Sequence, residues 1–277
     1  MTIEARENVS EGVATTDDAF LGGKLQLLQP ADGYRAGLDA LLLAASVPTP
    51  LNIARVLDVG SGVGTVGLCA AQRESKLDVT LVERDETFVQ LACQNIERNN
   101  LSARCRVVRA DVVASPAQLS AIGLTNDTFD HVLANPPFHE VGRGTLAPNQ
   151  LKEVAHAMDG QELETWARFI VRVTKPRGLT TFIHKAQELP RLLAVLSGRF
   201  GGLTVLPIIS HPGGVAHRVL VRGQKGSRAP FQLLSPFIVH SQQSSPLETS
   251  KDRAKLTDAA ESILRHGARL EAMQRSH

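Results

Sequence analysis

The sequence predicts an α/β fold built on a doubly wound, mostly parallel sheet. Three observations carry that expectation. Short apolar runs rich in valine and leucine alternate with helical patterns, the signature of strand–helix–strand units. A glycine-rich loop, Gly60-Ser61-Gly62-Val63-Gly64, follows the first of those runs and opens a helix. Four polar residues, Asp58, Glu83, Asp111 and Asn135, end four successive runs. In an open α/β sheet the carboxyl ends of the strands form the edge where ligands bind.

The elements follow in order. Residues 1–18 are polar and acidic and read as a mobile tail. Gly22-Gly23 between apolar residues predicts a small hairpin. Asp39 is placed to cap a helix over the apolar run Ala40 to Val47, which Pro48 and Pro50 close. Residues 54–59 read as a buried parallel strand, followed by the glycine loop and a helix through Gln72. A strand over 79–82 ends at Glu83, a helix covers 86–99, and a strand over 104–109 ends at Asp111. A short helix is expected near 116–122, then a strand over 129–134 ending at Asn135. The polar stretch 139–160, which contains Arg143, Lys152 and His156, is a candidate binding loop. Beyond it come a helix over 162–173, a strand over 179–183, a helix over 189–199 and strands over 203–209 and 217–221. An extended piece over 231–239 precedes a polar linker at 242–252 and an amphipathic helix over 256–270. The main domain is thus expected over 19–240, with 241–277 as linker and C-terminal helix packed on it.

A chain of 277 residues can bury a sizeable core. With 43% hydrophobic and 21% charged residues it is globular rather than disordered. A net charge of +2 neither demands nor excludes a nucleic-acid partner. Cys69, Cys93 and Cys105 are far apart, each in an apolar stretch, and are expected as buried free thiols. That fits a reducing cytoplasm. The first residues do not form a signal peptide, and no apolar run approaches membrane-spanning length. No metal site is expected.

Chemistry concentrates at Asn135-Pro136-Pro137-Phe138. A strand cannot continue through Pro-Pro, so the Asn135 side chain is held at a strand's carboxyl edge. A planar NH2 attached to a ring is a poor nucleophile, because its lone pair is delocalised. The amide oxygen of Asn135 and the carbonyl of Pro136 are suited to accept its two N–H bonds and free that pair. Phe138 is suited to stack on the base. The loop Asp58-Val59-Gly60-Ser61-Gly62-Val63-Gly64 lets backbone approach a ligand closely. A carboxylate at Asp58 is unwelcome beside a pyrophosphate but suits the cationic amino-acid end of S-adenosylmethionine. Glu83 stands where ribose hydroxyls bind, and Asp111 is placed to take an adenine amino group. Tyr34, Arg35 and Asp39 are candidate pocket residues near the N-terminus, and Pro137 and Arg143 candidate substrate contacts.

With these residues in place, the chain resembles the class I S-adenosylmethionine-dependent methyltransferases. The glycine loop, Glu83, Asp111 and the Asn-Pro-Pro-Phe tetrapeptide fall in that superfamily's order. Narrower features, Gln29-Pro30 through Gly33-Tyr34-Arg35 and Asp39 to Leu43, resemble the bacterial tRNA(Val) adenine-N6 methyltransferase-like group. So do Ala216 to Val221 and Leu234 to Val239. The resemblance implies a Rossmann-like seven-stranded sheet of order 3-2-1-4-5-7-6, its strand seven antiparallel. It implies S-adenosylmethionine as cofactor and an exocyclic amino group, adenine N6 in tRNA, as acceptor. Arg143, Lys152, Arg218, Arg222, Lys225 and Arg228 are then candidates for docking RNA. Phe138 stands where tyrosine is common, so stacking is kept and a hydroxyl contact is lost. Methylation of guanine N2 in ribosomal RNA, of a protein glutamine amide or of DNA adenine needs the same acceptor geometry. A module that binds S-adenosylmethionine without turnover and a nicotinamide-dependent dehydrogenase are readings from other classes.

Overall fold

The computed structural model describes residues 13–32, 35–136, 162–241 and 255–274. The chain opens with an antiparallel hairpin, β1 (Thr15–Phe20) and β2 (Leu25–Pro30), joined across Leu21–Gly23. Strand β1 reaches back into the expected tail, because Thr15 to Asp18 pair with Leu27 to Pro30. Helix α1 (Leu38–Ala45) follows. Then come β3 (Ala54–Val59), α2 (Thr65–Arg73), β4 (Leu77–Glu83), α3 (Glu86–Arg98) and β5 (Cys105–Arg109). Next are α4 (Pro116–Ala121) and β6 (Phe129–Ala134). Helix α5 covers 162–173 and runs directly into β7 (Thr174–Lys185). Helix α6 (Leu189–Leu196), β8 (Phe200–Ile209) and β9 (Ala216–Lys225) complete the main unit. Two short pieces, β10 (Gln232–Leu233) and β11 (Phe237–Ile238), and helix α7 (Asp258–His266) end it.

The sheet runs β8-β9-β7-β6-β3-β4-β5, with β9 antiparallel to both its neighbours and the central strands parallel. In sequence order of the seven main strands this is 3-2-1-4-5-7-6, as expected. The short strands β10 and β11 add parallel pairs along the outer side of β8, so among the described residues the sheet has nine strands rather than seven.

Both faces are covered, which is why the central strands read as near-continuous apolar runs. Val56, Val79, Leu81 and Leu133 pack with α1, α2 and α7. Leu57, Val59, Val82, Val132 and Phe182 pack with α5 and α6 on the other face. Among the described residues no helix is long and apolar enough to cross a membrane. Cys69 and Cys105 are buried, but Cys93 is exposed. Its neighbours Leu91 and Ala92 are buried along with Asn95 and Ile96, while a helix turns about 100° per residue and carries Cys93 away.

The hairpin is fixed to α3 by two asparagines one turn apart. Asn95 Oδ1 accepts from Leu28 N at 2.7 Å, and Asn95 Nδ2 donates to Leu28 O at 3.0 Å and Val63 O at 3.1 Å. Asn99 repeats the pattern on Gln26, accepting at 2.9 Å and donating at 2.7 Å. The four-residue step from Asn95 to Asn99 rises about 6 Å along the helix and two strand residues about 6.6 Å, so two side chains imitate a neighbouring strand. Asn95 is fully buried. Asn95→Ala strands Leu28 N, Leu28 O and Val63 O, and is expected to cost about 3 kcal/mol, read as a lower urea midpoint at unchanged m-value. A loss under about 0.5 kcal/mol would show that the hairpin is held elsewhere.

The C-terminal segment closes on the end of α1. Arg73 donates to Ala44 O and, at 2.9 Å, to Gly267 O; Arg222 donates to Ser46 O and Met273 O. Leu270 N donates to Ala45 O at 2.9 Å. The last carbonyls of α1, which no helical amide can reach, thereby gain donors, and two cations sit at its negative end. Burial lowers both guanidinium pKa values to about 10.

Candidate active site

Four strand ends and the loop after β3 enclose a cavity of about 450 Å3. Its size suits a nucleoside-sized ligand. Gly60, Gly62, Glu83, Asp111, Asn135 and Pro136 line it. Strand β3 stops because Gly60 turns to φ +66°, and the next loop residues to reach the left-handed region are Gly62 and Gly64, at +54° and +90°. Gly60 is required by contact as well as conformation: a Cβ there would lie 2.4 Å from Trp166 Cη2. A Cβ on Gly62 would meet nothing within 4 Å.

Glu83 organises the loop. Its Oε2 accepts from Gly62 N at 2.9 Å, and its Oε1 from Arg84 N at 2.8 Å and Asp85 N at 2.9 Å. A carboxylate has about four acceptor sites, so room is left for a ligand hydroxyl. Asp85 in turn caps α3 by accepting from Thr87 N at 2.8 Å. Asp111 accepts from Val113 N at 3.1 Å and lies 3.8 Å from Arg84.

Asp58 lies behind the loop rather than in the cavity wall. It is 1% exposed, and its Oδ2 accepts from Gly67 N at 2.9 Å. Burial pushes its pKa up to about 7, against the Gly67 amide, with the nearby Glu83 charge adding to the rise. Of the two ways expected for Asp58 to serve a cationic ligand, directly or through water, its place behind the loop favours action at a distance. Gly64 likewise stands behind the wall, packed on Leu81 as the N-cap of α2.

Two N-terminal candidates are occupied by protein partners. Arg35 grips Asp18 at 2.6 Å. Asp39 does not cap α1, whose N-cap is Gly37; its Oδ2 accepts from Arg218 Nε at 2.8 Å across to β9. Neither lines the cavity. Of the basic docking candidates, Arg222 is buried, and Lys225 is held by Asp127 at 2.7 Å and by two carbonyls. Tyr34, Pro137, Phe138, Arg143 and Lys152 lie outside the described residues.

Sequence reasoning missed Ser61, Thr65, Gln29 and Trp166, all of which line the cavity. Ser61 Oγ and Thr65 Oγ1 are buried, with no hydrogen-bond partner among the described residues. Ser61 sits in the loop and Thr65 opens α2 directly after it, and a hydroxyl in or beside a ligand loop was the available signal. Gln29 is 2% exposed and joins Asp18 to Ala36 N, both at 2.8 Å. Trp166 had no local signal. As the only tryptophan in the chain, it makes cofactor binding visible. S-adenosylhomocysteine is expected to change the intrinsic fluorescence saturably, and an unchanged spectrum at concentrations saturating by calorimetry would place the ligand elsewhere.

The lining carries four carboxylates, Glu83, Asp85, Asp111 and Glu162, against one cation, Arg84. That charge repels a pyrophosphate and favours a cationic ligand. The orphaned hydroxyls, the open face of Gly62 and the acidic lining all fit S-adenosylmethionine.

Comparison with known proteins agrees. The methyltransferase small domain family matches residues 37–159. A tRNA1(Val) (adenine(37)-N6)-methyltransferase of Shewanella sp. is 33% identical over 190 residues, 68% of this chain and 76% of that protein. A predicted O-methyltransferase from Agrobacterium tumefaciens superposes with a TM-score of 0.66 at 27% identity, covering 86% of this chain and 98% of that one. A Pyrococcus horikoshii protein crystallised with MeSAdo shares the fold at 15% identity and a TM-score of 0.50, covering 79% of this chain and 73% of that one.

Proposed function

Because this chain belongs to the family of S-adenosylmethionine-dependent methyltransferases that includes the tRNA1(Val) adenine-N6 enzymes, we propose that it methylates the N6 amino group of an adenine in tRNA. The observation that carries this reading is the shared wall: Asn135 and Pro136 line the same cavity as Glu83, Asp111 and the glycine loop. An acceptor amine held at Asn135 therefore meets the cofactor within one cleft. Bound S-adenosylmethionine supplies a methyl group made electrophilic by its sulfonium.

The chain's own residues supply position and acceptors. Asn135 Oδ1 and Pro136 O take the two N–H bonds of the amine as its nitrogen becomes tetrahedral, where charge builds. Asn135 is neutral and takes no proton, so the extra proton leaves to solvent after transfer. Glu83 offers its remaining lone pair to the cofactor ribose, and Asp111 accepts from the adenine amino group. Asp58, beneath the loop, supplies negative charge to the amino-acid end. Phe138 stacks on the substrate base. Catalysis then rests mainly on orientation.

The test is mass spectrometry of nucleosides from bulk tRNA incubated with this protein and methyl-labelled S-adenosylmethionine. Labelled N6-methyladenosine is the expected product. The same digest separates the rivals: label in a ribose methyl would move the acceptor to oxygen, as the name of the Agrobacterium relative has it for that protein. Absence of label from tRNA, with label in ribosomal RNA guanine or in a protein glutamine, would overturn the substrate.

A further inference from the structure

A second cavity, of about 420 Å3, opens at the opposite edge of the sheet, by the starts of β3 and β6. Its wall holds one carboxylate, Asp130, and three cations, Lys175, Arg177 and Arg222. Asp130 is already engaged, accepting from Lys175 Nζ at 2.7 Å and from Arg55 N at 2.8 Å. Arg177 and Arg222 have no ion pair among the described residues. Arg222 is 8% exposed, and a buried charge without a counter-ion is costly.

A hydrogen-bond chain ties the neighbouring histidine to Arg222 and favours one of its tautomers. Arg222 Nε donates to Thr181 Oγ1 at 3.4 Å, and Thr181 Oγ1 lies 2.8 Å from His131 Nε2. Arginine only donates, so the threonine hydroxyl accepts from it with one of two lone pairs; Nε2 is the one acceptor within reach of the hydroxyl hydrogen among the described residues, which favours donation from Thr181 to Nε2. Burial and the Arg222 guanidinium hold the imidazole pKa well below its usual range, so the ring is neutral. A neutral ring that accepts at Nε2 carries its hydrogen on Nδ1. His131 is 4% exposed and lines the cavity, and its Nδ1 has no partner among the described residues. Three of the guanidinium's five N–H groups are used, on Thr181, Met273 and Ser46. Arg177 adds a further observation. It holds a left-handed φ of +64°, where glycine is the unstrained choice, and strain kept at a ligand-sized cavity points to use of the side chain.

We propose that this cavity is a second ligand site, for a small anion of the carboxylate or phosphate type, held by Arg222, Arg177 and the Nδ1–H of His131. It lies away from the methyl-transfer cleft, so its ligand does not compete with the cofactor.

The experiment uses the full chain saturated with S-adenosylhomocysteine, which blocks the first cavity. Citrate and inorganic phosphate are titrated separately by calorimetry, with the imidazole 15N signals followed by NMR. Saturable binding that moves the His131 Nδ1 signal is expected. The tighter probe assigns the ligand to carboxylates or to phosphates. Arg222→Met would also release Met273 and Ser46 and is unsuitable. Arg177 is exposed, and Arg177→Gly keeps the backbone and is expected to weaken binding at least about tenfold with no fall in melting temperature and unchanged turnover. Binding of neither anion at millimolar concentration overturns the proposal. So does binding that ignores Arg177→Gly and leaves His131 unmoved.

Discussion

Asn135→Ala is expected to lower kcat about 1,000-fold while the calorimetric affinity for S-adenosylhomocysteine stays within about threefold. The loss corresponds to about 4 kcal/mol, the range found when an acceptor or donor that acts only in the transition state is removed. Asn135 stands at the end of β6, next to a proline, and lines the cleft. The planar amine proposed as acceptor needs no strong partner before reaction, so ground-state binding is expected to change little and KM with it. Asn135→Asp keeps an oxygen acceptor of the same shape and is expected to keep measurable turnover. A kcat within threefold of the parent for Asn135→Ala would remove this residue from the reaction.

Asp58→Asn is expected to flatten the pH dependence of stability between about pH 4 and pH 7. In the folded chain the carboxyl pKa is raised from 3.8 to about 7, chiefly by burial. The fold therefore favours the protonated form. Its contribution is fully present below about pH 4, declines as the pH rises, and is gone above about pH 7. The difference is about 4 kcal/mol. An asparagine oxygen can still accept from Gly67 N, but its amide NH2 needs an acceptor, which takes back about 1–3 kcal/mol. The slope is thus the firmer readout: urea midpoints at pH 4.5, 6 and 8 fall for the parent and stay level for the variant. The same substitution is expected to weaken binding of S-adenosylhomocysteine about tenfold at pH 8, where the parent carboxylate is charged. Parallel pH profiles in parent and variant would assign the titration to another group.

Much of this was readable in the sequence, for reasons that can be named. The strand over 54–59 and the strand over 129–134 match β3 and β6 residue for residue. Both are apolar runs bounded by strong breakers, a glycine loop in one case and a double proline in the other. The strand-end residues Glu83, Asp111 and Asn135 were legible because a parallel sheet places successive carboxyl ends on one edge. What failed depended on partners distant in sequence. Asp39 looked like a cap, but Arg218, 179 residues away, claims it. Arg35 looked free for a ligand, but Asp18 in the expected tail holds it. Asp58 is a different case: its partner Gly67 is only nine residues on, and strand alternation turns the carboxylate toward α2 behind the loop. Trp166 reaches the loop from α5, on which no pattern marks one buried position as functional.

The asparagine pair that fastens the hairpin has a further consequence, for solubility. Among the described residues the hairpin is a sheet of two strands, and the outer side of β2 would otherwise present free N–H and C=O groups. Such an edge is a template on which a strand from another molecule can add. Asn99 and Asn95 cover Gln26 and Leu28, two residues apart, on both their donor and acceptor sides. Helical side chains thus close an edge that many proteins guard with charge or proline. A substitution there uncovers an adhesive surface as well as loosening the fold, so aggregation is expected to set in before the chain has melted.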